Sequence, residues 1–433
     1  MLKNHLTTTG IVLLAATSLF ASDNPMRARG ADRESAQLLQ KIQNTAFGSA
    51  SGKRIADSMA DFGFELHKAF TSVGRDTTTS PFSLTSAFGL LANGAKSSTY
   101  DEVATGLKLK GMELSDFNQG YSDLTQSLKQ IGKENVFSYG NAVFADLDFP
   151  VQDTYEARVK QFFGASGENV NFKKPQEAAD KINEYVEGQT HQMIKNMVDA
   201  SSVKDWRAAL VNAGYYKGAW AFKFDAELTT EDADFQTATQ LKKVPMMRQY
   251  GKTFLYHAGN GFQMASLAYK NGDFAMDLIV PNQSKDPVAA LEAVEAQLTG
   301  SNYRQWIATS YPTAMMLGLP RFETEFKQDV TRYFKKIMPL AFSDSANFSE
   351  FSPEPVKVDA VIHATKLKVN EEGTEGAFAT VIGMERATTA IRRPAPMPQV
   401  IADRPFLMII RHTATGTPIF VSTVWDPKPL PKP

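Results

Sequence analysis

A chain of 433 residues with 43% hydrophobic and 21% charged side chains has the balance of a globular protein and volume enough for a large core. Its formal net charge is −1, with both signs interspersed, which excludes an electrostatic footprint for nucleic acid or an anionic membrane surface. It has no cysteine, which excludes disulfides, thiolate metal sites and a cysteine nucleophile.

Residues 1–22 read as a secretory signal: Lys3 is followed by an apolar run from Ile11 to Phe20 and the small pair Ala21-Ser22. The run is too short to span a bilayer comfortably, and no later stretch spans one. Residues 23–56 are polar and charged and read as a flexible arm, with the folded body from 57 to 433. From 58 to 70, Met59, Phe62, Leu66 and Phe70 fall on one helical face. Ser80-Pro81 breaks that pattern, and residues 84–95 read as a buried helix capped by Ser83 or Thr85. A further amphipathic helix is predicted over 179–194. Strand signals dominate the second half: 209–211 leading into Tyr215-Tyr216, 274–280 ended by Pro281, 315–319 ended by Pro320, then 366–369, 407–410 and 419–424. Helices gather early and strands late, and no linker or repeat divides the chain, so the expectation is one α+β domain.

No catalytic motif emerges. There is no G-x-S-x-G elbow and no H-E-x-x-H. The stretch 89–97, GLLANGAKS, has one residue too many for a phosphate loop and lies inside a helical run. The six histidines (His5, His67, His191, His257, His363, His412) form no i,i+4 pair for metal. The chain is expected to be no enzyme and to carry neither cofactor nor metal.

The distinctive stretch is 370–405, NEEGTEGAFATVIGMERATTAIRRPAPMPQVIADRP. It opens on flexible polar Glu371-Glu372-Gly373, continues through a proline-free alternating segment 374–385, and ends in a proline-rich segment that cannot join a central strand. In the alternating segment Thr374, Gly376, Phe378, Thr380, Ile382 and Met384 share one uncharged face, so that face can be buried if the segment becomes a strand. By pattern alone an ordinary strand fits as well.

From about 57 to 427 the chain resembles the serpins. Glu371-Glu372-Gly373-Thr374-Glu375 is similar to the family's hinge, and Asp403-Arg404-Pro405-Phe406-Leu407 to the signature that follows its reactive loop. Val211-Asn212, Tyr215 to Trp220, Ser80-Pro81-Phe82-Ser83, Val244-Pro245-Met246-Met247, Leu319-Pro320-Arg321-Phe322 and Val361-Ile362-His363 fall in the family's order. The resemblance implies a single-domain α+β serpin fold with a large mixed central sheet, two smaller sheets and eight or nine helices. It implies a secreted, extracellular or periplasmic, monomeric inhibitor. Its partner would be a serine protease, or also a cysteine protease, trapped as a covalent acyl complex when the loop at about 371–402 is cut and its hinge side enters the sheet.

On that resemblance Glu371, Gly373, Thr374, Gly376 and Phe378 are hinge residues, Ser80, Ser83, Asn212 and His363 form the shutter beneath the opening sheet, and Trp220 marks the breach where insertion starts. Counting seventeen residues from Glu371 sets the reactive bond at Ala387–Thr388, with Arg386 and Arg392 as alternatives because the loop is longer than is usual in the family. Phe378 departs from the pattern: a small residue is usual there, and overpacking costs on the order of 1–3 kcal/mol. It motivates the alternative of a non-inhibitory, binding or chaperone-like serpin.

Overall fold

A computed structural model describes residues 33–44, 49–375 and 397–432. Helix Ala50–Phe70 starts at Ser49, whose side chain accepts the Gly52 N–H, and buries the face carrying Ile55, Met59, Phe62 and Leu66. The next helix, Pro81–Gly94, is buried nearly all round and lies at the centre of the molecule. Its cap is Ser80, which accepts the Ser83 N–H, and neither Ser83 nor Thr85 as the sequence suggested. Pro81 explains the shift: its fixed φ suits the first helical position and leaves the cap to the residue before it. The predicted helix over 179–194 runs instead from Pro175 to Gln189. It stops there because His191 and Gln192 take left-handed φ values of 49° and 64°.

The arm expected over 23–56 is not all arm. Helix Arg33–Gln43 lies inside it, and Ala50–Phe70 begins within it. Leu39 and Ile42 of the first helix are buried, a stripe short enough to be hidden among charged neighbours in the sequence. Eleven α-helices lie among the described residues, more than the eight or nine expected. None of these is long and apolar enough to cross a membrane.

Two hydrogen-bonded sheets pack on this helical core. The nine-stranded sheet runs in the order Thr77–Thr79, Pro418–Val424, Phe406–His412, Phe274–Pro281, Phe262–Ala268, Leu241–Gly259, Tyr311–Pro320, Gln399–Ile401, with Thr230–Gln236 added to Leu241–Gly259. The two smaller sheets expected are joined here. Strand Leu241–Gly259 is 19 residues long and passes through a register shift between Tyr250 and Lys252, so it belongs to both halves. The seven-stranded sheet runs Lys428–Pro429, Phe322–Asp329, Ile362–Val369, Gly373–Glu375, Ala208–Ala219, Asn135–Asp146, Ser166–Val170. It is mixed, since only its last pair is parallel. One short strand, Gly373–Glu375, stands between two long ones, and the candidate site is built around it.

Candidate functional site

Thr374 pairs with Gly218 on one side and with Val369 on the other, while Gly373 faces Ala219. Among the described residues this three-residue strand is the only one between Ala208–Ala219 and Ile362–Val369. Further down, residues 208–217 and 362–367 stand apart with no described strand between them. Two cavities mark the gap. One of about 60 Å³ lies under Gly214 and Thr365, walled by Phe82, Phe137 and Tyr139. The other, about 200 Å³, is bordered by Ser83, Leu210, Asn212, His363 and Met197.

The filled end is tightly specified. The Asn370 side-chain oxygen accepts the N–H groups of Glu372 (3.0 Å) and Gly373 (3.1 Å), which turns the chain into the slot. Gly373 then passes so close to its neighbour that a Cβ there would stand 2.1 Å from the Gly218 carbonyl oxygen. No other residue fits without displacing that strand. Thr374 is fully buried, and its hydroxyl accepts a 2.6 Å hydrogen bond from Tyr269. Burial raises the Tyr269 hydroxyl pKa, which keeps it a neutral donor. Trp220 stacks on Tyr269 at 4.5 Å, and its Nε1–H donates to the Asn370 carbonyl at 2.9 Å. Its backbone N–H donates to the Glu372 carbonyl (2.9 Å). The structure therefore brings Trp220 into direct contact with the predicted hinge.

Glu371 is buried at 2% exposure and would be costly there without a counter-charge. Arg321, equally buried, supplies it: Nη1 is 2.8 Å from Glu371 Oε1, and Nη2 is 2.6 Å from Glu231. The Thr229 hydroxyl donates to the same Glu371 oxygen at 2.8 Å. Lys223 pairs with Glu372 at the rim.

Three of the four predicted shutter residues meet. The Ser80 N–H donates to His363 Nε2 at 3.0 Å, and Ser80 Oγ accepts the Ser83 N–H at 3.2 Å. Burial lowers the His363 pKa from 6.5 to about 4, consistent with a ring that accepts at Nε2. Asn212 faces the same cavity from the opposite wall. Its amide donates to Asn141 Oδ1 (2.9 Å), the Asn141 Nδ2 donates in turn to the Phe163 carbonyl, and the Oδ1 of Asn212 is buried without a partner. The gap thus separates Asn212 from the other three. Gly376, Phe378, Arg386, Ala387, Thr388 and Arg392 lie outside the described residues.

Tyr269, Arg321, Thr229 and Asn141 were not singled out by the sequence. Arg321 stands in a quoted motif, and a buried-motif arginine demands an acid. Tyr269 carries no local signal, being 105 residues from the threonine it holds.

Comparison with known proteins agrees with this geometry. A family model described as Serpin (serine protease inhibitor) matches residues 57–427. Serine protease inhibitor A3K of Mus musculus is 31% identical over 86% of this chain and 89% of its own length. Alpha-1-antiproteinase of Ovis aries is 31% identical over 97% of this chain and 98% of its own. The solved structure titled Cleaved Serpin 42Da has a TM-score of 0.76 and 27% identity, covering 87% of this chain and 99% of its own. The chain belongs to the serpins, a family of protease inhibitors rather than enzymes.

Proposed function

We propose that this serpin is a suicide-substrate inhibitor of serine proteases, working as a monomer outside the cell or in the periplasm after removal of residues 1–22. The observation that carries this reading is the part-filled slot: a three-residue strand occupies one end of a gap, and among the described residues no strand lies in its remainder, which borders two cavities. The target's serine attacks the bait carbonyl, at Ala387, Arg386 or Arg392, and an ester to the protease forms as the peptide bond breaks. Gly373–Glu375 then seeds a full strand, which fills the gap before water cleaves the ester.

The register tells where each residue would go. Thr374 faces Gly218 and Val369 in antiparallel pairs. Each step forward on the loop is a step back on both neighbours, so Phe378 would come opposite Gly214 and Thr365, and Thr380 opposite Asn212 and His363. Gly214 borders the smaller cavity and leaves room where Phe378 needs it. Asn212, with its unpartnered oxygen, and Thr380 would close the polar layer that the gap now divides.

The second reading, a non-inhibitory binding or chaperone-like serpin, rests on the bulk of Phe378, and Gly214 weighs against it. The experiment is incubation with a trypsin-like and an elastase-like protease, followed by a denaturing gel and the mass of the C-terminal fragment. A complex that survives denaturation supports inhibition, and the fragment mass chooses among the three bonds. Clean cleavage by both proteases with no complex would move the reading to the non-inhibitory one.

A further inference from the structure

Helix Pro81–Gly94 is buried on almost every side, and its exceptions fall in one line. Ser83, Ala87 and Leu91 are partly exposed, stand four residues apart, and all border the cavity of about 200 Å³. Residues at that spacing share a helix face, so these three form a floor. The floor is about 12 Å long at the helical rise of 1.5 Å per residue. Leu210 and Asn212 stand on one side of the cavity and Val361 and His363 on the other.

The floor is polar at one end and apolar at the other. At the Ser83 end, His363 Nε2 accepts the Ser80 N–H at 3.0 Å, so the neutral ring keeps its proton on Nδ1. The Ser83 hydroxyl and this ring N–H are both donors. The Leu91 end is aromatic. Tyr155 donates to the Leu90 carbonyl at 3.2 Å, and a Cβ on Gly94 would stand 2.7 Å from Phe351. Both rings border the cavity. So do exposed Lys357 and Asp359, where it reaches solvent.

Size and charge define what fits. A cavity of about 150 Å³ takes a benzene molecule, and this one is larger and elongated. Its two bordering cations are already met: Arg207 pairs with Asp146 (2.7 Å) and Glu354 (3.4 Å), and Lys357 with Asp344 (2.6 Å). The acid among the described lining residues, Asp359, is exposed. A charged group held inside would therefore lack a buried counter-charge, which is costly.

We propose that this cavity is a binding site for a neutral amphipathic molecule: an aliphatic chain of medium length that lies along Ala87 and Leu91 and ends in a hydroxyl or amide at Ser83 and His363. Its occupation bears on the trap. By the register above, an inserting strand would bring Ile382 opposite Leu210, into the same space. That consequence rests on the insertion reading, whereas the site itself does not.

The test titrates the full uncut chain with octanol and reads the heat of binding. One saturable site is expected. Ala87→Phe fills the floor and should weaken binding more than tenfold. Leu210→Phe fills the cavity from the strand and should do the same, which keeps the test open if the helix variant does not fold. Ser83→Ala keeps the volume and should weaken binding by up to about tenfold, the worth of one hydrogen bond. Octanoate and octylamine should bind more weakly than octanol. Heat that never saturates, or unchanged affinity in the filled variants, overturns the site, and tighter binding of either charged probe overturns the neutral ligand. A cut chain that has gained heat resistance should no longer bind octanol, and retained binding there would place the ligand elsewhere. A cut chain that gains no heat resistance would remove the insertion reading, while the variant titrations still report on the site.

Discussion

The two ends of the slot are built from opposite materials. At the filled end every strand edge is paired, a buried acid has its arginine, and the hinge threonine has a tyrosine donor. At the other end, strand edges face cavities of about 60 and 200 Å³, and Asn212 keeps a buried oxygen without a partner. Cavities and an unpartnered amide oxygen thus line the unfilled end, beside the strand Gly373–Glu375, while at the filled end Glu371 Oε2 is the carboxylate oxygen left without a partner. On the proposed mechanism, the free energy of filling the gap is left for a later step.

The sharpest way to break this contrast is to make the filled end unfillable. Thr374→Arg would place a charge in a fully buried site whose one polar neighbour is a tyrosine hydroxyl. The expected result on a denaturing gel is complete loss of the covalent complex with cleavage retained. Undiminished complex would end the insertion mechanism.

A smaller effect comes from Arg321→Leu. It leaves Glu371 buried without its counter-charge, at a cost of about 3–5 kcal/mol, read as a lower denaturant midpoint. A midpoint unmoved by this change would mean that the hinge turn contributes little to the native state.

Acid probes the unfilled end. Burial lowers His363 from 6.5 to about 4. Between those values the unfolded chain takes up a proton that the folded chain refuses, so stability falls as the pH drops from 6.5 toward 4 and is level above 6.5. His67 and His412, lowered by burial to about 3 and about 4, act in the same direction. Each histidine accounts for about 3 kcal/mol by pH 4. Melting temperatures from pH 7 to 4 should follow this slope, and His363→Gln should flatten part of it. An identical slope in that variant would remove His363 from the account.

The smallest effect tests the register. Gly214→Val should hinder the Phe378 ring by about 1–3 kcal/mol and raise the amount of inhibitor consumed per protease trapped. Adding Phe378→Ala should restore the ratio. Additive effects would mean that the two residues never meet.

Much of this was legible in the residues, for definite reasons. The alternation of Lys366 to Val369 announces a strand with one buried face, and the structure buries Leu367 and Val369. The run ended by Pro281 is a fully buried strand. Local patterns of this kind carry through to three dimensions because period and burial are the same property. Gly373 follows from chain chemistry as well, whereas the entry read as flexible, Glu371-Glu372-Gly373, is ordered by the Asn370 turn and by burial of Glu371. The helix at 33–43 was hidden because its apolar stripe covers barely one turn. Tyr269, Asn141 and the partner of Glu371 were hidden because side-chain pairing across fifty positions or more leaves no trace in either neighbourhood. The joining of the two smaller sheets depended on a register shift at Gly251, where φ is +67°.

The weave of the nine-stranded sheet has an outcome for the molecule after cleavage. Everything beyond the proposed reactive bond includes the strands Gln399–Ile401, Phe406–His412 and Pro418–Val424. Phe406–His412 lies between Pro418–Val424 and Phe274–Pro281, and Arg411 and Asp277, both wholly buried, are 2.7 Å apart across the latter pair. The severed tail is therefore a subunit in all but origin. A cut chain should travel through a sizing column as one particle, its two pieces parting only when the whole fold is taken down.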